Sequence, residues 1–356
     1  MSTALAAVFE KPYEIQLREF PLPILKPGEI LVRNLLCTIC GSDLHTYEGR
    51  RGVDGPTVLG HEILGVVEAM EGNVTAFDGS PLNIGDRIVW SLCVSCWQCD
   101  RCQKGLPQKC RQLKKYGHLA INDDYILTGG LATHTHLLPN TSIFRVPEEL
   151  SDSLACPSSC ATATVHAAHT PRAGQVILVM GAGMLGLTAC AYLNHAGAGF
   201  VLVADINDHR LKLANQYGAD GGIRSDLPFS DVESEVKRIT GRNRVDVVLE
   251  MSGAPACIDL GYKLLDVGGK LVLVGAVFPV PDFPVLPEDV IRKQLTICGV
   301  HNYHPDNLAG ALAFLNHGVG TFPFSEMVSR EFSLQQVKEA LDFAVKEKPF
   351  RVAVRP

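Results

Sequence analysis

Val176-Ile177-Leu178-Val179-Met180-Gly181-Ala182-Gly183-Met184-Leu185-Gly186 is the stretch that decides the fold. An apolar run meets a Gly-x-Gly-x-x-Gly pattern, and an apolar segment of helical length, 187–196, follows. Alone, the glycines would be a weak signal. A strand before them and a helix after them give them meaning. Gly181 permits the tight turn, Gly183 lets the backbone approach a pyrophosphate, and Gly186 lets helix and strand pack closely. The helix N-terminus then faces the phosphate charge. Asp205 ends the next apolar run, where a carboxylate accepts both ribose hydroxyls of NAD and repels the 2′-phosphate of NADP. Arg210, on the segment that follows, could flank the ribose or tolerate a phosphate.

Outward from this stretch, strand-like runs at 200–204, 245–249 and 270–274 alternate with helix-length segments. That alternation predicts a parallel, doubly wound sheet, so this part is α/β. Upstream, to about residue 155, the texture is turn-rich. Short apolar runs such as 30–36 and 63–69 are split by Gly and Pro, as in an all-β or barrel-like domain. Beyond 300, helical stretches at 307–316 and 334–346 precede a last short strand at 351–354. No internal repeat or low-complexity segment interrupts the chain.

With 356 residues, 46% hydrophobic and 20% charged, the chain can bury a sizeable core, and its length suggests two domains. A formal net charge of -6 gives no sign of nucleic acid or an anionic membrane as partner. The N-terminal residues lack a basic region followed by a long apolar run, so no signal peptide or spanning helix is expected. Twelve cysteines without secretion signals suit reduced thiols and metal binding in the cytoplasm. Four of them, Cys96-x2-Cys99-x2-Cys102-x7-Cys110, have the spacing of a chelating knuckle that closes a tetrahedral shell around Zn²⁺. Two-residue gaps also hinder disulfides between neighbours.

A second polar constellation is scattered along the sequence. It comprises Cys40-Gly41-Ser42-Asp43-Leu44-His45, Gly60-His61-Glu62, and Cys160 within Pro157-Ser158-Ser159-Cys160-Ala161-Thr162-Ala163-Thr164. Cys40, His61 and Cys160 together would make a Cys₂His shell with an open fourth position, the catalytic arrangement for zinc. Spacing alone does not show that they converge.

In this order, and with Gly85-Asp86-Arg87, the cysteine lobe, the glycine pattern and Asp205, the chain resembles the zinc-dependent medium-chain alcohol dehydrogenases. The resemblance covers most of the chain. It implies a GroES-like β-rich catalytic domain with the zinc lobe at 1–160, an NAD-binding Rossmann domain at 161–299, and a return to the catalytic domain at 300–356. It implies two zincs per chain: a catalytic one on Cys40, His61 and Cys160, and a structural one on Cys96, Cys99, Cys102 and Cys110. Some relatives use Glu as the third ligand or shift a ligand to Glu62. Ser42 would pass on the alcohol proton, His45 would relay it toward solvent, Glu62 would lie beside the metal, and Asp43 would orient His61. Thr164 would contact the nicotinamide and Arg351 the pyrophosphate.

The implied reaction is hydride transfer between a primary, secondary or polyol alcohol, or its carbonyl, and NAD. The segment 157–164 and the short connection after it resemble a branch associated with phosphonate catabolism, with a hydroxyalkylphosphonate as substrate and Arg50-Arg51 as candidate anion contacts. The resemblance also implies a homodimer or homotetramer. Two other readings stand beside this one: a zinc-free quinone or enoyl reductase of the same fold, and a non-catalytic NAD-binding zinc redox sensor. Cys93, just before the lobe, reads as a spectator thiol. His134 and His136 share one strand face and read as packed or solvated histidines, with a third metal site as the other possibility.

Overall fold

In the computed structural model, which describes residues 2–277, 279–318 and 320–356, Val176–Met180 is a strand buried along its whole length. It lies inside a six-stranded sheet. The order is Gly221–Arg224, Phe200–Asp205, Val176–Met180, Val245–Glu250, Leu265–Leu273, Thr296–Gly299, and all pairs are parallel. Numbered along the chain this is 3-2-1-4-5-6, the doubly wound order of the Rossmann fold. A strand covered by helices on both faces reads as a continuous apolar run, which is why 176–180 carries no alternation and 245–249 is broken only by Asp246. The helices between strands differ: Met184–His195 is buried over most of its length, whereas Phe229–Thr240 is amphipathic. In Phe229–Thr240 the buried pair, Val232 and Val236, is spaced four apart on one face. The order reverses between Val176–Met180 and Val245–Glu250, so their C-terminal ends form the crevice where such sheets take ligands.

The rest of the chain builds a β-rich body. Its main sheet runs Ile143–Arg145, Arg87–Trp90, Glu62–Met70, Ile30–Ile39, Arg351–Arg355, Val328–Ser333, and His134–Leu137 also pairs with Ile30–Ile39. Alternate residues of these strands (Ile30 and Val32, Ile63 and Val67, Ile88 and Trp90, Val352 and Val354) fill one core. A three-stranded sheet of Glu14–Pro21, Thr3–Lys11 and Thr57–Val58, and a two-stranded ribbon of Cys93–Val94 with Lys114–Lys115, complete it. Register positions the chemistry: Thr38 lies opposite Glu62, and Ile39 lies opposite Val352, which brings the C-terminal strand beside both.

The chain divides into two units. One holds the residues up to Cys160 with His304–Asn316 and Phe324–Pro356; the other holds Ala161–Tyr303 with His317–Pro323. No described helix is long and apolar enough to cross a membrane.

Candidate active site and metal centres

Cys40 leaves the strand Ile30–Ile39 and caps the short helix Gly41–Tyr47. The cap is made by Asp43, whose Oδ2 accepts from the Cys40 backbone N–H at 2.9 Å. The other carboxylate oxygen of Asp43 lies 3.0 Å from His61 Nδ1 and accepts from the Gly60 N–H at 3.2 Å. Asp43 is fully buried, and its carboxylate ties Cys40, Gly60 and His61 together. With Nδ1 held, Nε2 is the nitrogen left for a metal, as imidazole ligands require. Ser42 Oγ stands 3.4 Å from that Nε2.

Cys160 follows the 3₁₀ turn Cys156–Ser159 and reaches the same point. The ligand atoms of Cys40, His61, Glu62 and Cys160 all lie within 4.8 Å of one another. The Cys160 thiol hydrogen-bonds to the Cys40 sulfur. This bond, with Arg351 and His61 nearby, outweighs burial and holds Cys40 well below the ordinary thiol range. The same hydrogen bond, with burial, pushes Cys160 up. Burial opposes a charged ring at His61, yet Asp43 and Cys40 overcome it and raise its pKa to about 10. A site that stabilises a thiolate beside a second thiol and an oriented imidazole has the donor set zinc prefers.

Arg351, expected at the pyrophosphate, is buried and ion-paired with Glu62. Its Nε donates to Glu62 Oε2 at 2.8 Å and its Nη2 to Oε1 at 2.7 Å, while Nη2 also lies 3.6 Å from Cys40 Sγ. Thr38 Oγ1 adds a 2.6 Å hydrogen bond to Glu62. Burial lifts the Glu62 pKa, and Arg351 opposes that lift. The register of the C-terminal strand carries the guanidinium to this place beside Glu62 and Cys40.

The cysteine lobe is a second cluster. The sulfurs of Cys96, Cys99, Cys102 and Cys110 lie within 4.8 Å of one another, with separations of 3.4 Å for Cys96–Cys110, 3.6 Å for Cys99–Cys102 and 3.9 Å for Cys99–Cys110. Zn–S bonds of about 2.3 Å at tetrahedral angles put sulfurs about 3.8 Å apart. A disulfide needs about 2.05 Å, so the quartet has zinc geometry and all twelve cysteines are free. Backbone N–H groups of Cys96, Cys99 and Gln112 point at these sulfurs at 3.3–3.4 Å. Similar bonds from Arg111 and Cys102 draw Cys99 down to about 6, whereas burial pushes Cys102 up to about 12. Cys93 is buried in the ribbon strand outside the quartet.

In the other unit, Gly181 sits at φ +99°, a conformation L side chains rarely adopt, and a Cβ at Gly186 would lie 1.7 Å from the Gly181 carbonyl oxygen. Helix Met184–His195 therefore starts against the turn, with Gly183 as its cap. Asp205 Oδ2 accepts from the Ala182 N–H at 2.7 Å and Oδ1 from the Asn207 N–H at 2.9 Å. Each oxygen keeps a lone pair for a ribose hydroxyl. Arg210 lies in the first turn of the next helix, Asp208–Ala214, its N–H donating to Asn207 Oδ1 at 3.2 Å. Thr164 is half-buried on helix Ala161–Ala168.

Glu250 was not singled out from the sequence. It ends the strand Val245–Glu250 fully buried, and its Oε1 accepts from the Ser252 N–H (2.8 Å), the Ser252 hydroxyl (2.6 Å) and the Gly253 N–H (2.8 Å). It thereby shapes the turn that packs on Gly181. A carboxylate closing an apolar strand at the crevice was the available signal. His134 and His136 face carboxylates, Glu68 at 3.4 Å and Glu29 at 3.0 Å, and join neither metal cluster among the described residues.

Residues 26–148 match the alcohol dehydrogenase GroES-like domain, and 185–317 the zinc-binding dehydrogenase family. The chain is 33% identical to L-threonine 3-dehydrogenase of Pyrococcus horikoshii over 85% of each protein. It is 28% identical to sorbitol dehydrogenase of Bacillus subtilis over 99% of this chain and 97% of that one. Among solved structures, an alcohol dehydrogenase from Thermotoga maritima superposes with a TM-score of 0.92 at 27% identity, covering 100% of both chains.

Proposed function

This chain belongs to the zinc-dependent medium-chain alcohol dehydrogenases, and from that premise we propose that it oxidises an alcohol to an aldehyde or ketone with NAD, or runs the reverse reduction. The observation that carries the reading is the meeting of Cys40, His61, Glu62 and Cys160 around one point, with Ser42 beside His61. Neither a zinc-free reductase nor a passive sensor has need of that set together with a hydroxyl beside it.

Bound there, zinc would supply the Lewis acid that acidifies an alcohol hydroxyl, and NAD would supply the hydride acceptor. The chain's own residues do the rest. Asp43 fixes the tautomer and angle of His61. Ser42 Oγ is placed to take the alcohol proton, and His45, three residues on along the same helix and half-buried, lies on an adjoining position to carry it outward. Arg351 and Thr38 hold the Glu62 carboxylate at the edge of the ligand set. In the dinucleotide unit, the glycine turn and the Met184–His195 N-terminus would cradle the pyrophosphate. Asp205 would read the ribose in favour of NAD, and Thr164 would meet the nicotinamide. The partner is a small alcohol or carbonyl compound, and the free cysteines fit a reducing cytoplasm.

The reading includes self-association. Thr296–Gly299 is the open edge of the parallel sheet, and Leu286 and Ile291 nearby are 56% and 75% exposed. An edge strand with apolar neighbours is a template for pairing with a second copy. The test of the chemistry is Cys40→Ala or His61→Ala: either abolishes alcohol-dependent NAD reduction while NAD still binds. Turnover at the wild-type rate in these variants would discard the site.

A further inference from the structure

The dinucleotide unit carries a second recess, at the end of its parallel sheet away from the glycine turn. A cavity of about 780 Å³ lies where Val176–Met180, Val245–Glu250 and Thr296–Gly299 begin, and every residue lining it belongs to this unit. Small-molecule sites run from about 300 to 1,000 Å³, so there is room for a metabolite. One wall is the sheet face that bears Val247, Lys270 and Thr296, register partners on adjacent strands. The end of helix Ala161–Ala168 and the connection 169–175 supply the rest, with Arg242 and Asp246 at the side. Arg172, Ala173 and Gly268 are exposed, so the recess opens to solvent.

Charge in the recess is unbalanced. Arg242 is matched, since it donates to Asp246 at 2.8 and 2.7 Å and to Asp266 at 3.1 Å. Asp246 also accepts from the Val176 N–H at 2.7 Å, so the one carboxylate among the described lining residues is already engaged. Lys270 and Arg172 form no ion pair among the described residues, and Lys270 is half-buried. His169 stands with them, its Nε2 3.1 Å from Gln175 Oε1, which also accepts from the Arg172 N–H at 2.8 Å. Burial holds the His169 imidazole below its ordinary pKa against the pull of Gln175, and Lys270 and Arg172 push the same way as burial. Two cations facing one cavity without a counter-charge, one of them partly out of water, cost free energy that a bound anion recovers.

We propose that this recess is a binding site for a dianionic phosphoryl group, free or carried by a small metabolite, and that Lys270 and Arg172 receive it. A phosphate monoester carries close to two negative charges near pH 7 on one compact group, which matches the two unpaired cations. Arg172 supplies a planar donor fork and Lys270 a point charge. The volume beyond the phosphoryl group takes an organic part. A five-residue strand at about 3.3 Å per residue keeps the site roughly 15 Å from the glycine turn, so it is separate from the dinucleotide crevice. The proposal does not depend on the dehydrogenase reading.

The test uses zinc-loaded protein with NAD in excess, so that the dinucleotide crevice is filled. Titration calorimetry measures inorganic phosphate and ribose 5-phosphate, with ribose as the neutral control. The wild type is expected to bind one phosphoryl group per chain and no ribose, with an affinity that falls as salt rises. Loss of a charge-assisted contact is about 10-fold or more, so Lys270→Gln and Arg172→Gln should each weaken binding by that factor, and Lys270→Arg should restore most of it. Ala173→Glu places a carboxylate on the exposed edge of the recess and should abolish binding without lowering Tm. That variant keeps the proposal testable if Lys270→Gln does not fold. Phosphate should raise the Tm of the wild type and not that of Ala173→Glu. Ribose 5-phosphate binding more tightly than inorganic phosphate supports a metabolite as the ligand, and equal binding supports the free ion. No phosphate binding by the wild type would overturn the proposal, as would binding that Lys270→Gln and Ala173→Glu both leave unchanged. Binding that NAD displaces would also overturn it, because the anion would then sit in the dinucleotide crevice. No readout requires turnover, so failure of the dehydrogenase reading leaves these results as they stand.

Discussion

Replacing Arg351 by Met should be among the most damaging single changes in the β-rich unit. The side chain of Glu62 is 0% exposed and that of Arg351 7%, and they share two charge-assisted hydrogen bonds of 2.8 and 2.7 Å. Without the guanidinium, the Glu62 carboxylate keeps only the 2.6 Å bond from Thr38, at a place where burial already disfavours its charge. Removing one partner of a buried ion pair costs about 3–5 kcal/mol, because the other charge stays desolvated. In a unit of roughly 200 residues each kcal/mol moves Tm by about 2–4 °C, so the drop should be on the order of 10 °C. Glu62→Gln with Arg351→Met should recover much of that loss, because no unpaired charge remains. Thermal unfolding of zinc-quantified wild type, both single variants and the double variant measures the coupling. A drop of less than about 2 °C for Arg351→Met, or additive losses in the double variant, would refute the reasoning.

Other expectations follow from the same geometry. Asp43→Ala frees the His61 ring and should weaken zinc at the catalytic centre by about 10- to 100-fold, read by chelator competition; unchanged affinity would remove Asp43 from its orienting role. Asp205→Ala should raise KM for NAD and reduce discrimination against NADP by about 10-fold or more, since a charged acceptor of ribose hydroxyls is lost. An unaltered cofactor ratio would show that Asp205 only braces the glycine turn at Ala182. Cys102→Ser should cost one zinc per chain and lower Tm, because lobe metal contributes folding energy. Full zinc content in that variant would contradict a four-sulfur site.

The parallel sheet was legible because several of its strands are largely apolar runs between turn signals, and the glycine turn because its spacing follows from where a Cβ cannot fit. The lobe was legible because its ligands are local in sequence. The catalytic set was harder, since Cys40, His61 and Cys160 are gathered by sheet register and by the turn before Cys160. For those, order along the chain and the family resemblance carried the reading. The pairing of Arg351 with Glu62 was not legible, because a lone arginine in a terminal strand carries no sign of its partner. That partner, Glu62, lies 289 residues away and is met only through the antiparallel pairing of the last strand with Ile30–Ile39.

The most direct test of the central claim is zinc per chain measured together with alcohol-dependent NAD reduction, before and after chelation. Two zincs, with turnover that chelator removes and added zinc restores, is the result expected from the two clusters. One zinc per chain, or turnover indifferent to the chelator, would contradict a catalytic metal on Cys40, His61 and Cys160.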